Sequence, residues 1–301
     1  MMKKKISGIL AALVFLTGLG IFTYPTISDQ WNRYRQSKEI AAYEEEIVQL
    51  ESDDLSIPWM AAKEYNQTIT YNTFEGDVFS GEEQNEDETV YWSLLNVKNN
   101  GIMGYISIPK INQKLSIYHG TSDLVLQTGV GHIQGTKLPI GGAGSHSVLA
   151  GHRGLPSAEL FSDIDQMEVG DKFYIHVLDE VLAYEVDQIL PMIPKDDYET
   201  LSAAMQIEEG QDYITLFTCT PYGVNSHRLL VRGKRVAYNG EDDTVTDAVV
   251  SAETVVESVK NYYMFYIIAA VAVIIMIAVV IKSVGKLRLG KRNREEENEK
   301  V

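Results

Sequence analysis

The chain has 301 residues, with 26 Lys+Arg against 42 Asp+Glu and a formal net charge of −16 at pH 7, so it offers no basic surface of the kind nucleic-acid binding requires. A single cysteine rules out an internal disulfide. The length accommodates one domain with its own core together with terminal extensions.

Met1-Met2-Lys3-Lys4-Lys5 precedes an uncharged apolar run from Ile6 to about Tyr24, which fits a signal sequence or a membrane anchor. No small-x-small cleavage pattern precedes Tyr24-Pro25, which favours an uncleaved anchor over residues 1–28. Trp31 to Leu50 lacks Gly and Pro, and Ile40, Ala41, Tyr43, Ile47, Val48 and Leu50 give a rough helical face. From Glu51 to Glu88 the chain is rich in Pro, Asn, Gly and acids. It reads as a loop region with "GEEQNEDE" (81–88) solvated, and residues 29–90 as a helical extension and loop. No EF-hand register is present.

From Tyr91 to Tyr238 short apolar or alternating runs are separated by turns: 104–109, 115–120, 146–152, 172–178, 182–190, 212–219 and 228–236. Their β-branched and aromatic content predicts a mainly β domain over 91–238, a barrel or sandwich, with short helices at 122–127, 157–164 and 197–205. Residues 239–261 read as an acidic stalk, 262–281 as a second membrane helix and 282–301 as a basic tail carrying Lys282, Lys286, Arg288, Lys291, Arg292 and Arg294. Positive-inside bias places both tails in the cytoplasm and everything between them outside. That exposed part holds 16 basic and 38 acidic residues, close to −22.

In "YITLFTC" the side chains of Tyr213, Thr215, Phe217 and Cys219 share one face of a strand that Thr220-Pro221 ends, so Cys219 can face a cleft. Of six histidines (His119, His132, His146, His152, His176 and His227), His152 ends a strand between Gly151 and Gly154, which leaves room for a peptide. A thiol beside an imidazole can exist as thiolate and imidazolium, a nucleophile near neutral pH. Arg228, opening the next strand, supplies a permanent cation for an oxyanion or a substrate backbone. His132 and His146 read as strand or turn residues, and "GGAGSHS" (141–147) is not a nucleotide loop because a strand follows it. With no Cys-x-x-Cys and no His-Glu-x-x-His, neither a metal nor another cofactor is expected.

"TLFTCTPYGVNSHRLLVRGKR" (215–235), with "HSVLAGHRGLPSAELFSDI" (146–164) upstream, resembles the sortases, and among them the class C, pilin-polymerising sortases of Gram-positive bacteria. The resemblance implies a sortase-type β-barrel with Cys219 as nucleophile, His152 as general acid/base and Arg228 as substrate-binding or oxyanion-stabilising residue. It implies cleavage of an LPXTG-like sorting signal between Thr and Gly, a thioacyl enzyme, and attack by a lysine of the next pilin subunit. His227 fits the pattern as a loop-orienting residue.

Class C enzymes commonly carry an Asp-Pro-aromatic lid. The stretch matched to it here is Ser56-Ile57-Pro58-Trp59, so Trp59 is expected to cover Cys219 while Ile57 offers Arg228 no carboxylate. Asp53 or Asp54 could substitute, or the lid could be held by apolar contact alone. Two other readings stay open: a sortase anchoring proteins to cell-wall precursors, and a membrane-displayed binding module whose cysteine is incidental. A papain-like hydrolase is disfavoured, since there the cysteine precedes the histidine and begins a helix.

Overall fold

The computed structural model describes residues 2–50, 52–73, 76–80 and 89–240, with side-chain environments for most of them. The expected stalk, second membrane segment and basic tail lie outside the described residues, apart from 239 and 240. Among the described residues no helix is long and apolar enough to cross a membrane. The described residues fall into two units, 2–27 and, holding the barrel, 28–240.

Helix α1 spans Met2–Gln49, α2 Ser52–Thr68 and α3 Thr89–Ser93. Eight strands follow with two more helices between them: β1 (Ile102–Ile108), β2 (Gln113–His119), α4 (Asp123–Thr128), β3 (Val130–His132), β4 (Ser145–Ala150), β5 (Lys172–Val177), β6 (Glu180–Pro194), α5 (Tyr198–Ala204), β7 (Asp212–Thr220) and β8 (His227–Val236). They close into a barrel in the order β1-β2-β3-β4-β7-β8-β6-β5. Closure leaves no unpaired edge. Each strand expected from alternation is present, and β3 is an addition too short to show a period.

The central pair β4 and β7 runs parallel, Ala150 opposite Phe217. Both strands are buried on both faces, as parallel pairs usually are. Ile214 and Leu216 point into the barrel core with Leu149, Ile106 and Ile117. Val148, Ala150, Phe217 and Leu230 face the other way, into a second apolar cluster roofed by Leu201 of α5 and by Met205 just past its end. The functional face of β7 belongs to this outer cluster.

Along α1, Ile40, Tyr43 and Ile47 are buried against the barrel, and the Tyr43 hydroxyl donates to Met103 O (3.2 Å) and accepts from Leu178 N (2.7 Å). Buried Gln36 bridges the middle of β2 and the end of α4, accepting from Ser116 N at 2.7 Å and donating to Thr128 O. Helix α2 occupies part of the region read as loop. Pro58 lies inside it, the residue that argues most strongly against a helix from sequence alone. Asn66 near its end accepts from Leu138 N (2.7 Å) and donates to Leu138 O (3.2 Å). Beyond α2, Asn72 donates to His146 O and Met205 O, at 2.8 and 2.6 Å. These bonds fix where the following segment, 76–80, meets the barrel. The helix expected at 157–164 is absent: turns at 156–157 and 160–163 lead into a single 3-10 turn at Ile164–Gln166.

Candidate active site

Cys219 stands one residue from the end of β7, directly opposite Arg228 of β8. Residues facing each other across an antiparallel pair project to the same side with Cβ atoms about 5 Å apart. Because β4 is parallel to β7, its carboxyl end emerges beside the thiol, and the chain is pinned there. Gly151 N donates to Phe217 O (3.1 Å) and Thr218 Oγ1 donates to Gly151 O (2.7 Å). His152 follows immediately. Cys219, His152 and Arg228 thus line one cavity of about 390 Å³ with Gly76, Asp77, Phe79, Ser80, Lys195, Asp196, Tyr198 and Asn225.

The glycines flanking His152 do not leave the room expected for a peptide. A Cβ on Gly151 would lie 2.6 Å from the Phe161 ring, and one on Gly154, at φ +75°, 3.2 Å from Tyr222. The protein's own aromatics take that space and hold the histidine loop against the strand ends.

Segment 76–80 forms one wall of the cavity. Asp77 turns the chain, accepting from Phe79 N at 3.3 Å while its carbonyl accepts from Ser80 N at 2.8 Å. Its carboxylate also takes both outer prongs of Arg228, Nε to Oδ1 at 3.1 Å and Nη2 to Oδ2. The remaining nitrogen, Nη1, donates to Asn225 O (3.0 Å) and His227 O (2.8 Å). Arg228 is therefore fully committed, with a side chain only 2 % exposed. The Phe79 ring stacks on Phe217 (5.7 Å, 11°), lies 5.4 Å from the His152 ring and sits under the Arg228 guanidinium at 5.3 Å.

Burial pushes the Cys219 thiol up to about 11, Arg228 and Lys195 pull it down, and the Asp77 carboxylate pushes it further up. Burial also lowers His152, with partial opposition from Asp123. Both shifts favour the neutral thiol and neutral imidazole over the ion pair. In this arrangement the thiol stands in the cavity in its neutral form.

The lid expectation at Ile57, Pro58 and Trp59 is corrected by the geometry. All three lie on α2 and none lines the cavity. Trp59 Nε1 donates to Asp179 Oδ1 at 2.8 Å, its ring carries the Lys63 ammonium at 5.3 Å, and it packs against the barrel core. The carboxylate thought missing is Asp77, and the aromatic over the site is Phe79. The signal was Asp77-Val78-Phe79, an Asp-x-aromatic triplet hidden because Val78 stands where the family pattern has proline.

His132 and His146 are buried members of β3 and β4, and burial keeps both rings neutral against the opposing pull of their carbonyl partners. His132 faces the Tyr91 hydroxyl and Lys137 O (both 2.9 Å), and His146 faces Gln206 O and Thr215 Oγ1 (both 2.8 Å). His227 pairs with Ser226 Oγ at 2.8 Å on the loop before Arg228. Among the described residues no group of His, Cys, Asp and Glu could hold a metal ion.

The sortase domain family matches residues 106–236. A Streptococcus pneumoniae sortase C, studied for its catalysis and pilin substrate specificity, is 43% identical with a TM-score of 0.58, over 67% of this chain and 97% of its own. Sortase C1 from Streptococcus agalactiae is 46% identical with a TM-score of 0.60, over 67% of this chain and 100% of its own. Sortase A from Bacillus anthracis is 23% identical over 236 residues, 78% of this chain and 97% of its own. Identity at this level across nearly the whole of the streptococcal enzymes shows that the chain belongs to the sortases, a family of cysteine transpeptidases, with class C pilin sortases as its structural neighbours.

Proposed function

We propose that this sortase polymerises pilin subunits: it cleaves an LPXTG-like sorting signal between Thr and Gly and transfers the acyl group to a lysine of the next subunit. The observation that carries the reading is the convergence of Cys219, His152 and Arg228 on one cavity walled by Asp77 and Phe79, in a chain so similar to sortases C. In this mechanism the Cys219 thiolate attacks the Thr carbonyl carbon, and Arg228 holds the developing oxyanion or the adjoining backbone. His152 gives its proton to the departing Gly amine. The acceptor lysine amine then attacks the thioester, His152 takes the proton the amine loses, an amide forms and Cys219 departs as thiolate, which restores the starting pair. The acyl bond energy is kept in the thioester, so no nucleotide is needed.

Segment 76–80 acts as a lid in this reading, since Asp77 occupies the guanidinium that the substrate needs and Phe79 lines the cavity in contact with the His152 and Phe217 rings. The apolar runs at 6–24 and 262–281, each with basic flanks, support two membrane spans with the barrel on the extracellular face.

The test is incubation of the full chain in detergent with a pilin subunit bearing its sorting signal. A covalent ladder on a denaturing gel that disappears with Cys219→Ala supports polymerisation. Cleavage without a ladder points to another acceptor, such as a cell-wall amine. Unchanged activity in Cys219→Ala would return the chain to the binding-module reading.

A further inference from the structure

The cavity holds a cation that the proposed mechanism leaves unassigned. Lys195 follows the last residue of β6, where Ile193 pairs with Arg228 and Pro194 with His227. Its backbone N–H donates to Ser226 O at 3.2 Å, tying its Cα to the loop that delivers Arg228. The strand order then sets Cys219 on β7, Arg228 on the neighbouring β8, and Lys195 at the end of β6 beyond it, all three lining the same cavity. Among the described residues Lys195 has no ion-pair partner, whereas Arg228 spends every nitrogen on Asp77, Asn225 and His227.

The charged and titratable groups facing the thiol are few. Arg228 comes from β8, Asp77 from segment 76–80, His152 from the loop after β4, and Lys195 and Asp196 from the loop before α5, with Tyr198 on α5 itself. Acyl transfer gives Arg228 a second task, because a guanidinium bonded to a peptide oxygen is no longer fully available to the sulfur. A thiolate at a buried position needs another positive charge nearby.

We propose that Lys195 is a positioning residue for the transpeptidation, the second cation that holds Cys219 as thiolate once Asp77 has left Arg228. This rests on the proposed acyl-transfer chemistry but concerns the thiol alone. Lys195 already acts on Cys219 in the sense required, against the opposing charge of Asp77. Lys195 is exposed and has no ion-pair partner among the described residues, so following the sulfur breaks no ion pair there.

The test measures the rate of Cys219 alkylation by iodoacetamide as a function of pH, in the full chain carrying Asp77→Ala, by intact mass. Lys195→Gln is expected to raise the pH midpoint by roughly half a unit, about a threefold loss of alkylation rate near neutral pH. Lys195→Arg restores the midpoint, and the difference shrinks at high ionic strength. An identical midpoint in Lys195→Gln, or failure of Lys195→Arg to restore it, overturns the assignment. Alkylation uses no sorting peptide. A midpoint shift with no peptide cleavage by any variant would leave Lys195 in this role and count against pilin polymerisation.

Discussion

Asp77 and Arg228, 151 positions apart in sequence, share a two-pronged ion pair whose Nε to Oδ1 distance is 3.1 Å, with Arg228 almost wholly shielded from solvent. The pair fastens a wall of the cavity to the residue proposed to bind substrate, so one interaction governs both access and readiness. Breaking it with Asp77→Ala removes the clamp on Arg228 and the anion that disfavours the thiolate. Alkylation of Cys219 is expected to rise about tenfold, the equivalent of 1.4 kcal/mol in the closed-to-open equilibrium. Trp59→Ala, which disturbs contacts with Asp179, Lys63 and the barrel core but none at the cavity, should leave the rate unchanged. Acceleration by Trp59→Ala as large as by Asp77→Ala would restore the earlier lid assignment.

Phe79 supplies the apolar half of the same closure through its stack on Phe217. An aromatic pair of this kind contributes about 0.5–1.5 kcal/mol beyond simple burial. Phe79→Ala should therefore speed alkylation several-fold. Combined with Asp77→Ala it should add less than its own effect, because both substitutions act on one opening event. Fully multiplicative rates would mean that the ion pair and the ring act on separate motions.

What the sequence made legible follows from the range of the interactions. Cys219, His152 and Arg228 sit at strand ends whose alternation is local, and parallel β4–β7 pairing brings them together. The Asp77 contact leaves no such trace, since nothing near Asp77 encodes an arginine so distant in the chain. Proline misled twice, at Pro58 where it sits inside α2, and at Val78 where its absence concealed the triplet. Ser157 to Ile164 has helical composition but is tied into turns by bonds such as Phe161 N to His152 O at 3.1 Å. That tertiary bond overrides the local propensity.

Alkaline pH should open the site. The closed site holds the Cys219 thiol up at about 11, whereas an exposed thiol titrates near 8.5. As pH rises through that interval, the open form loses its proton first and is favoured over the closed one. Proteolysis within segment 76–80, followed by mass spectrometry between pH 7 and 10, should become faster in wild type and stay flat in Cys219→Ala. Equal acceleration in both would assign the effect to another group.

Acid should weaken the barrel through His132 and His146, whose burial lowers each to about 4. Both are neutral in the folded state, and the unfolded chain takes up protons near 6.5, so their contribution is complete above about 6.5 and is lost as pH falls toward 4. The loss is at most about 3 kcal/mol for each. Urea unfolding across this range should show a slope that His146→Gln reduces, and a slope unchanged by that substitution would mean His146 is not neutral in the fold.

Gly151→Ala tests how the histidine is placed. The added methyl would meet the Phe161 ring at 2.6 Å, and the backbone cannot retreat without releasing the bonds to Phe217 and Thr218 that seat it beside β7. Overpacking of this kind costs about 1–3 kcal/mol, and the shift it forces is passed directly to His152. Turnover of a sorting peptide should fall by ten-fold or more while alkylation of Cys219 in the Asp77→Ala background changes little, because the thiol stands on a different strand. Phe161→Leu should recover part of the lost turnover in Gly151→Ala, since it withdraws the ring atoms that the methyl strikes. Recovery in the double variant is the decisive reading: if Phe161→Leu instead compounds the loss, the close approach of Gly151 to Phe161 is not what positions His152.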